Sequence, residues 1–299
     1  MARTRFLPDT GLTVRMTTVM FLLGGLFVAI VVGLMVVVHS PGLSFLIGVG
    51  GIAIAFFQWY RSDTVAMRAM HAREVTAEQA PELHGMIDRL CAMADMPKPR
   101  VAIADTALPN AFATGRSPER SVVCVTTGIL DTLTAEELEG VLAHELSHVA
   151  HRDVLVMTVA STAGIVAGMT LRGASWGALG RNKATGAYIV AVIAISLVIY
   201  AISFLLLRLL SRYRELCADR SGAYLTQKPA ALASALTKVS GQMNAVPERD
   251  LRAAQPMNAL FLTPAIRGLA MGAITATHPP LEKRLDQLAK IAANLGQTL

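Results

Sequence analysis

Residues 16–38, 43–60, 154–171 and 187–207 contain no Asp, Glu, Lys or Arg. Each stretch is long enough to cross a hydrocarbon core about 30 Å thick as a helix, so the pattern predicts four transmembrane helices arranged as two hairpins. The first and fourth stretches are rich in Val, Ile and Leu. The third, VLVMTVASTAGIVAGMTL, is diluted by Thr, Ser, Ala and Gly, which reads either as a weak span or as a helix packed on its partner through small residues. The first is longer than the roughly 7–15 apolar residues of a signal peptide and ends in His39-Ser40-Pro41, without a small-residue cleavage site.

The segments between these stretches follow other periods. Residues 77–96 place Leu83, Met86, Ile87 and Leu90 on one face of an amphipathic helix. Arg100–Ala104 and Ser121–Thr126 have the β-branched content of strands, and Gly115–Glu119 reads as a turn joining a further strand, Asn110–Thr114, to the second of them. A three-stranded sheet beside a helix is expected. The fold class is therefore α+β and mostly helical, with a small β-sheet and about four transmembrane helices. Its parts are a hairpin at 1–60, a first catalytic segment at 61–152, a second hairpin at 153–210 and a second catalytic segment at 211–299. The two polar segments together suffice for one core.

Composition independently requires a membrane: 53% of residues are hydrophobic and only 16% charged, with a mean hydropathy of +0.49, which excludes an ordinary soluble enzyme. Arg3, Arg5 and Arg15 precede the first stretch and Arg61, Arg68 and Arg73 follow the second, while His39–Gly42 between them carry no Lys or Arg. The positive-inside rule then puts both ends of that hairpin, and the catalytic segments, in the cytoplasm. Arg172, Arg181 and Lys183 in the loop that should lie outside run against this pattern. Residues 61–152 carry 9 basic and 13 acidic side chains and residues 211–299 carry 11 and 6. The net charge of +6 thus resides in membrane-flanking and C-terminal parts, which suits anionic lipid better than nucleic acid. Cys91, Cys124 and Cys217 show no CxxC spacing and read as small core residues in a reducing compartment.

Candidate chemistry begins at His144, Glu145 and His148, an H-E-x-x-H pattern. Residues four apart lie on one helix face, so both imidazoles can address one metal ion, while Glu145, rotated about 100° from His144, is displaced towards a water in the open coordination position. Thr134-Ala135-Glu136-Glu137 reads as a capping box, with Leu133 and Leu138 placed for a hydrophobic staple. Val141, Leu142, Leu146 and Val149 flank the polar triplet, which marks a buried helix rather than a solvated one. A catalytic zinc needs a third protein ligand. Glu215 supplies it, and Asp219, four residues on, is placed to accept a hydrogen bond from the far nitrogen of a bound imidazole, His144 being the candidate. The competing reading pairs both acids with Arg212, Arg214 or Arg220 on a solvated helix. Glu145 is the catalytic candidate. His278 and Arg284 are candidates only for stabilising an oxyanion, and His278, beside two prolines, reads equally as a helix-start or packing residue.

Taken in order, the first hydrophobic pair, Pro109–Gly115, the Val122–Leu130 run, HELSH, the second hydrophobic pair, Arg214-Glu215 with Ala218-Asp219, and Thr277–Leu281 resemble the membrane-integral HtpX peptidases. These are zincin-like gluzincins related to the CAAX prenyl endopeptidases. Leu216-Cys217 departs from the aromatic residue such proteins often carry after the glutamate. The resemblance implies one Zn2+ held by His144, His148 and Glu215, and a metalloendopeptidase acting on unfolded or damaged membrane proteins in the stress response of the inner membrane. It also implies a substrate strand laid along Asn110–Ala113. A selective prenyl-type processing protease and a non-catalytic zinc-binding scaffold are the alternatives. Residues 241–276, interrupted by Pro247, Pro256 and Pro264, are expected to cover the cleft or touch the bilayer.

Overall fold

The computed structural model describes residues 9–38, 41–178, 183–245 and 278–299. The chain divides into two compact units: residues 1–9, 61–154 and 211–299 form a catalytic unit, and residues 10–60 and 155–210 a membrane unit.

The membrane unit contains α1 (Thr10–Val38), α2 (Pro41–Tyr60), most of α7 (Asp153–Ala178) and the first part of α8 (Lys183–Thr226). Ile30, Val166, Ala167 and Ile199 are buried together, with Phe27 and Ile47 against them. Gly51 of α2 lies directly against Val166 of α7, a small residue letting two helix backbones approach in lipid. Phe21, Leu46, Phe57 and Val190 project outward, as a lipid-facing surface requires.

The expected count of four spans is corrected in part. Among the described residues two helices, Thr10–Gly33 and Ile193–Thr226, are long and apolar enough to cross a membrane, or three if α6 (Ala135–Ala150) and the start of α7 are one broken span. α2 has 20 residues, but the apolar part that counts towards a span, Phe45–Tyr60, is shorter than the roughly 20 residues a crossing takes. The polar and small residues of the third stretch dilute its hydropathy.

The catalytic unit is built on a four-stranded sheet of order β1-β2-β4-β3: β1 is Arg73–Glu74, β2 Arg100–Ala104, β3 Ala111–Gly115 and β4 Ser121–Thr126. β2 and β4 are parallel, in register Ala102 to Cys124; β3 runs antiparallel to β4, with Ala113 opposite Val123. The sheet exceeds the three expected strands by β1, whose two residues pair antiparallel with β2 and are too short to leave an alternation in the sequence. The turn after β3 contains a 3-10 segment, Pro118–Arg120, and the short helix α5 (Thr127–Thr132) follows β4.

Helices cover both faces. On one, α3 (Ser62–Ala69) sets Ala66 against Phe112, Val122 and Cys124, with Met70 beyond its end. On the other lies the main core: Leu83, Ile87 and Leu90 of α4 (Pro81–Ala94), Val101, Val123 and Val125 of the sheet, and Val141, Leu142 and Leu146 of α6. Leu232 and Leu236 of α9 (Pro229–Ala245) and Leu288 and Ile291 of α10 (Leu281–Asn294) complete it. Burying a side chain of this size stabilises by about 1.5–3 kcal/mol.

α6 begins where the capping motif places it. Thr134 Oγ1 accepts from the Glu137 amide at 3.4 Å and Glu137 Oε2 accepts from the Thr134 amide at 2.8 Å, which satisfies two donors that a helix start leaves open. Glu137 also takes Ser234 Oγ at 2.6 Å and Lys238 Nζ at 2.8 Å from α9. The helix that presents the HExxH residues is thereby fixed to its neighbour at its N-terminal end. The expected cover at 241–276 lies almost wholly outside the described residues; only 241–245, the end of α9, are described.

Candidate metal centre

α6 presents His144 and His148 one turn apart, and their Nε2 atoms are 3.2 Å from each other. α8 brings Glu215 to them: its Oε2 is 3.6 Å from His144 Nε2 and its Oε1 3.4 Å from His148 Nε2. Ligand atoms of all three residues lie within 4.8 Å of one another. Donors bound tetrahedrally at about 2.0–2.1 Å from one ion stand about 3.3 Å apart, so the arrangement fits a single small divalent cation.

A glycine makes this approach possible. A Cβ on Gly222 of α8 would lie 2.9 Å from the His144 nitrogen and 3.2 Å from its Cα, closer than side chains pack. Glu215, Asp219 and Gly222 follow the i, i+4, i+7 spacing of one helix face. Gly222 is therefore the contact point at which α8 meets α6. The spacing was visible in the sequence, but a glycine seven residues from an acid has no meaning until the opposing helix is known.

Each imidazole is backed by a carboxylate, and each carboxylate by an arginine. His144 Nδ1 is 2.9 Å from Asp219 Oδ1. Asp219 in turn accepts two hydrogen bonds from Arg284 of α10, Nε to Oδ2 and Nη2 to Oδ1, both 2.7 Å. Behind His148, Nδ1 lies 2.6 Å from Asp153 Oδ2, and Arg214 Nε is 2.8 Å from that same oxygen. Engagement of both Nδ1 atoms leaves each Nε2 to address the ion. Burial pushes the His144 imidazole down, but the Asp219 and Glu215 carboxylates override it and carry its pKa up to about 10. A pocket with that preference favours positive charge, which suits a cation bound by two neutral imidazoles and a carboxylate.

The arginine partners differ from those expected of a solvated helix. Asp219 pairs with Arg284, Arg214 turns to Asp153, and Arg220 Nη1 lies 3.3 Å from Asp9 Oδ2. Arg284, one of the two oxyanion candidates, is buried and gives its Nε and Nη2 to Asp219 in a two-pronged pair, which makes it the counter-charge of that carboxylate. His278 stays beside the chemistry, its Nδ1 2.9 Å from Glu215 Oε2 and its buried Nε2 without a hydrogen-bond partner among the described residues. Asp153 is the addition that sequence reading lacked. Five residues from His148 is not a helix-face spacing, and the residue becomes a neighbour only because Arg152 adopts a left-handed conformation, φ 56°.

Glu145 points to the sheet instead of the ligands. Its Oε2 accepts from the Ala113 amide of β3 at 3.0 Å. Burial pushes its carboxyl above the ordinary 4.5, and Glu215 adds to the rise against the two imidazoles and the Ala113 amide. Among the described residues β3 is the terminal strand of the sheet and pairs with β4 alone, so its outer edge runs past the base and the ligand cluster.

A His-His-Glu cluster with a buried carboxylate beside it and a terminal strand at hand is the site of a metallopeptidase, here in a chain with membrane-spanning helices. Residues 77–292 match the model of Peptidase family M48, and the chain belongs to that family. It is 52% identical to Protease HtpX homolog 1 of Streptomyces coelicolor, across 99% of this chain and 97% of that one. It is 46% identical to Protease HtpX homolog 2 of Methanosarcina acetivorans, across 96% and 98%. The crystal structure of S. mikatae Ste24p shares the fold, with a TM-score of 0.56 at 15% identity over 92% of this chain and 65% of that chain. The protein is a membrane metalloprotease.

Proposed function

We propose that the protein is a zinc-dependent endopeptidase whose catalytic unit faces the cytoplasm from the inner membrane, and which hydrolyses unfolded or damaged membrane proteins. The observation that carries this reading is the convergence of His144, His148 and Glu215, with Glu145 held against the edge strand β3. Zinc, when bound, supplies a Lewis acid that polarises the scissile carbonyl and acidifies a water. The protein's own residues do the rest. Glu145 takes that water's proton and hands it to the leaving amine. The outer edge of β3, with small side chains at Ala111 and Ala113, accepts an extended backbone by strand addition, which reads main chain more than side chains and so favours broad substrates. His278 stands beside Glu215, where it can stabilise charge developing on the carbonyl oxygen.

One cation site that uses residues on both sides of 155–210 requires that segment to leave and re-enter the same side of the membrane. Asp9, just before α1, lies with Arg220 and accepts from Cys217 Sγ at 3.3 Å on the catalytic unit, which supports placing the N-terminus on that side, and the flanking arginines support the cytoplasmic assignment. Membrane lipids are the other partners. A selective prenyl-type processing enzyme would need a cavity built from more spans.

Glu145→Ala is the direct test. In detergent-purified protein it is expected to lower casein cleavage and self-cleavage by at least about 10²–10⁴-fold while zinc remains bound; undiminished cleavage would remove the enzyme reading. Faster cleavage of a prenylated peptide than of unfolded membrane protein would favour the processing reading.

A further inference from the structure

We infer that Asp153, supported by Arg214, is a positioning residue for His148 and thereby sets the affinity of the metal centre. The inference rests on the zinc reading above.

Continued as an α-helix beyond Ala150, the chain would carry residue 153 about 140° around and 7.5 Å along the axis from His148, out of reach of its ring. It does not continue. α6 ends at Ala150, Arg152 takes φ 56°, and α7 begins at Asp153. The turn folds Asp153 back so that Oδ2 lies 2.6 Å from His148 Nδ1. The carboxylate is buried, 2% exposed, so it needs a counter-charge. Arg214 brings one to the same oxygen at 2.8 Å, while Oδ1 takes no hydrogen bond among the described residues.

Both contacts of Asp153 therefore converge on a single atom. That geometry holds the ring of His148 with Nδ1 protonated and Nε2 directed at Glu215. Arg214 is also the residue next to the third ligand. The two ends of the inserted hairpin, 153 and 214, are thus tied to each other and to His148 by one carboxylate. An acid that merely favoured the N-terminus of α7 would be satisfied by solvent and the helix dipole and would have no reason to be buried against an imidazole and a guanidinium.

The test uses full-length protein in detergent and competition for zinc with a chelator of known affinity, beside thermal unfolding of the metal-free protein. Asp153→Ala is expected to weaken zinc binding about 10–100-fold. Asp153→Asn keeps an acceptor but loses the charge, and is expected to fall between wild type and Asp153→Ala; it serves if the alanine variant fails to fold. Arg214→Gln is expected to weaken binding several-fold, and to add little in the Asp153→Ala background because both act through one contact. Zinc affinity within twofold of wild type in Asp153→Ala or Asp153→Asn overturns the inference, even where the unfolding temperature falls. Wild-type protein that binds no zinc, or binding untouched by His148→Ala, would instead remove the zinc reading itself.

Discussion

His144 and His148 share a helix and point at the same place, yet they are supported in different ways. Behind His144 stand Asp219 and Arg284, both effectively sealed from water and joined by two short parallel hydrogen bonds. The support comes from α8 and α10, held against α6 by the Gly222 contact. Behind His148 stand Asp153 and Arg214, joined at a single oxygen, with the Arg214 side chain 11% exposed. These residues sit where the polypeptide leaves the catalytic unit and where it returns. One imidazole is thus set by the packed core, the other by the ends of an inserted hairpin. The contrast teaches that a ligand set readable as one motif is assembled from two separable supports.

The largest expected effect lies on the His144 side. Arg284→Met takes the counter-charge from buried Asp219 and leaves it with His144 alone, and should cost about 3–5 kcal/mol in thermal or denaturant unfolding of the detergent-solubilised protein. Arg214→Met also removes the counter-charge of a buried carboxylate, but the Arg214 side chain is 11% exposed, so water can partly replace it and the cost should be smaller, roughly 1–3 kcal/mol. Equal losses would break the comparison. Next comes Gly222→Ala, whose added methyl meets the His144 backbone at 2.9 Å. Overpacking of this kind costs about 1–3 kcal/mol, and because it moves α8 away from α6 it should weaken zinc binding through Glu215 more than an equally destabilising substitution elsewhere.

A smaller effect is expected at the start of α6, which both imidazoles share. Lys238, Ser234 and the Thr134 amide outweigh burial and hold the Glu137 carboxyl down, from an ordinary 4.5 to about 2. Its folded pKa is below its unfolded one, so its contribution is complete above about pH 4.5 and disappears as pH falls through about 2. With an exposed Lys238 partner that contribution is about 1 kcal/mol. Glu137→Gln should remove it at neutral pH and flatten the pH dependence of unfolding in that window, without shifting zinc affinity in favour of either imidazole. Smallest is Arg152, the left-handed residue on the His148 side. Arg152→Gly should change stability by no more than about 0.5 kcal/mol, relief of strain offsetting glycine entropy, whereas Arg152→Val should cost about 1 kcal/mol or more and disturb His148 before His144.

Much of the site lay in the sequence because helical spacing is a local rule. His144 with His148, and Glu215 with Asp219, follow from residues four apart sharing a face, and the start of α6 follows from Thr134 and Glu137. Arg100–Ala104 and Ser121–Thr126 were legible as strands from β-branched content, and the apolar stretches declared a membrane protein through composition alone. The two-residue strand β1 was not legible, since an alternation needs more positions than it has. The number of spans was over-read, because freedom from charge does not guarantee the hydropathy and length of a crossing.

What only the tertiary structure decided concerns partners far apart along the chain. Nothing local distinguishes an Arg284 that stabilises an oxyanion from one that neutralises a buried carboxylate; the position of Asp219 does, 65 residues away. Nor does any spacing make Asp153 a neighbour of His148, or Gly222 the point of closest approach to His144. The sequence by itself determined which side chains share a helix face and which segments prefer lipid, since both depend on the backbone period and on transfer from water. Which charges neutralise one another was settled by packing, because a buried ion is stable only beside a counter-ion that the fold, not the spacing, brings within about 3 Å.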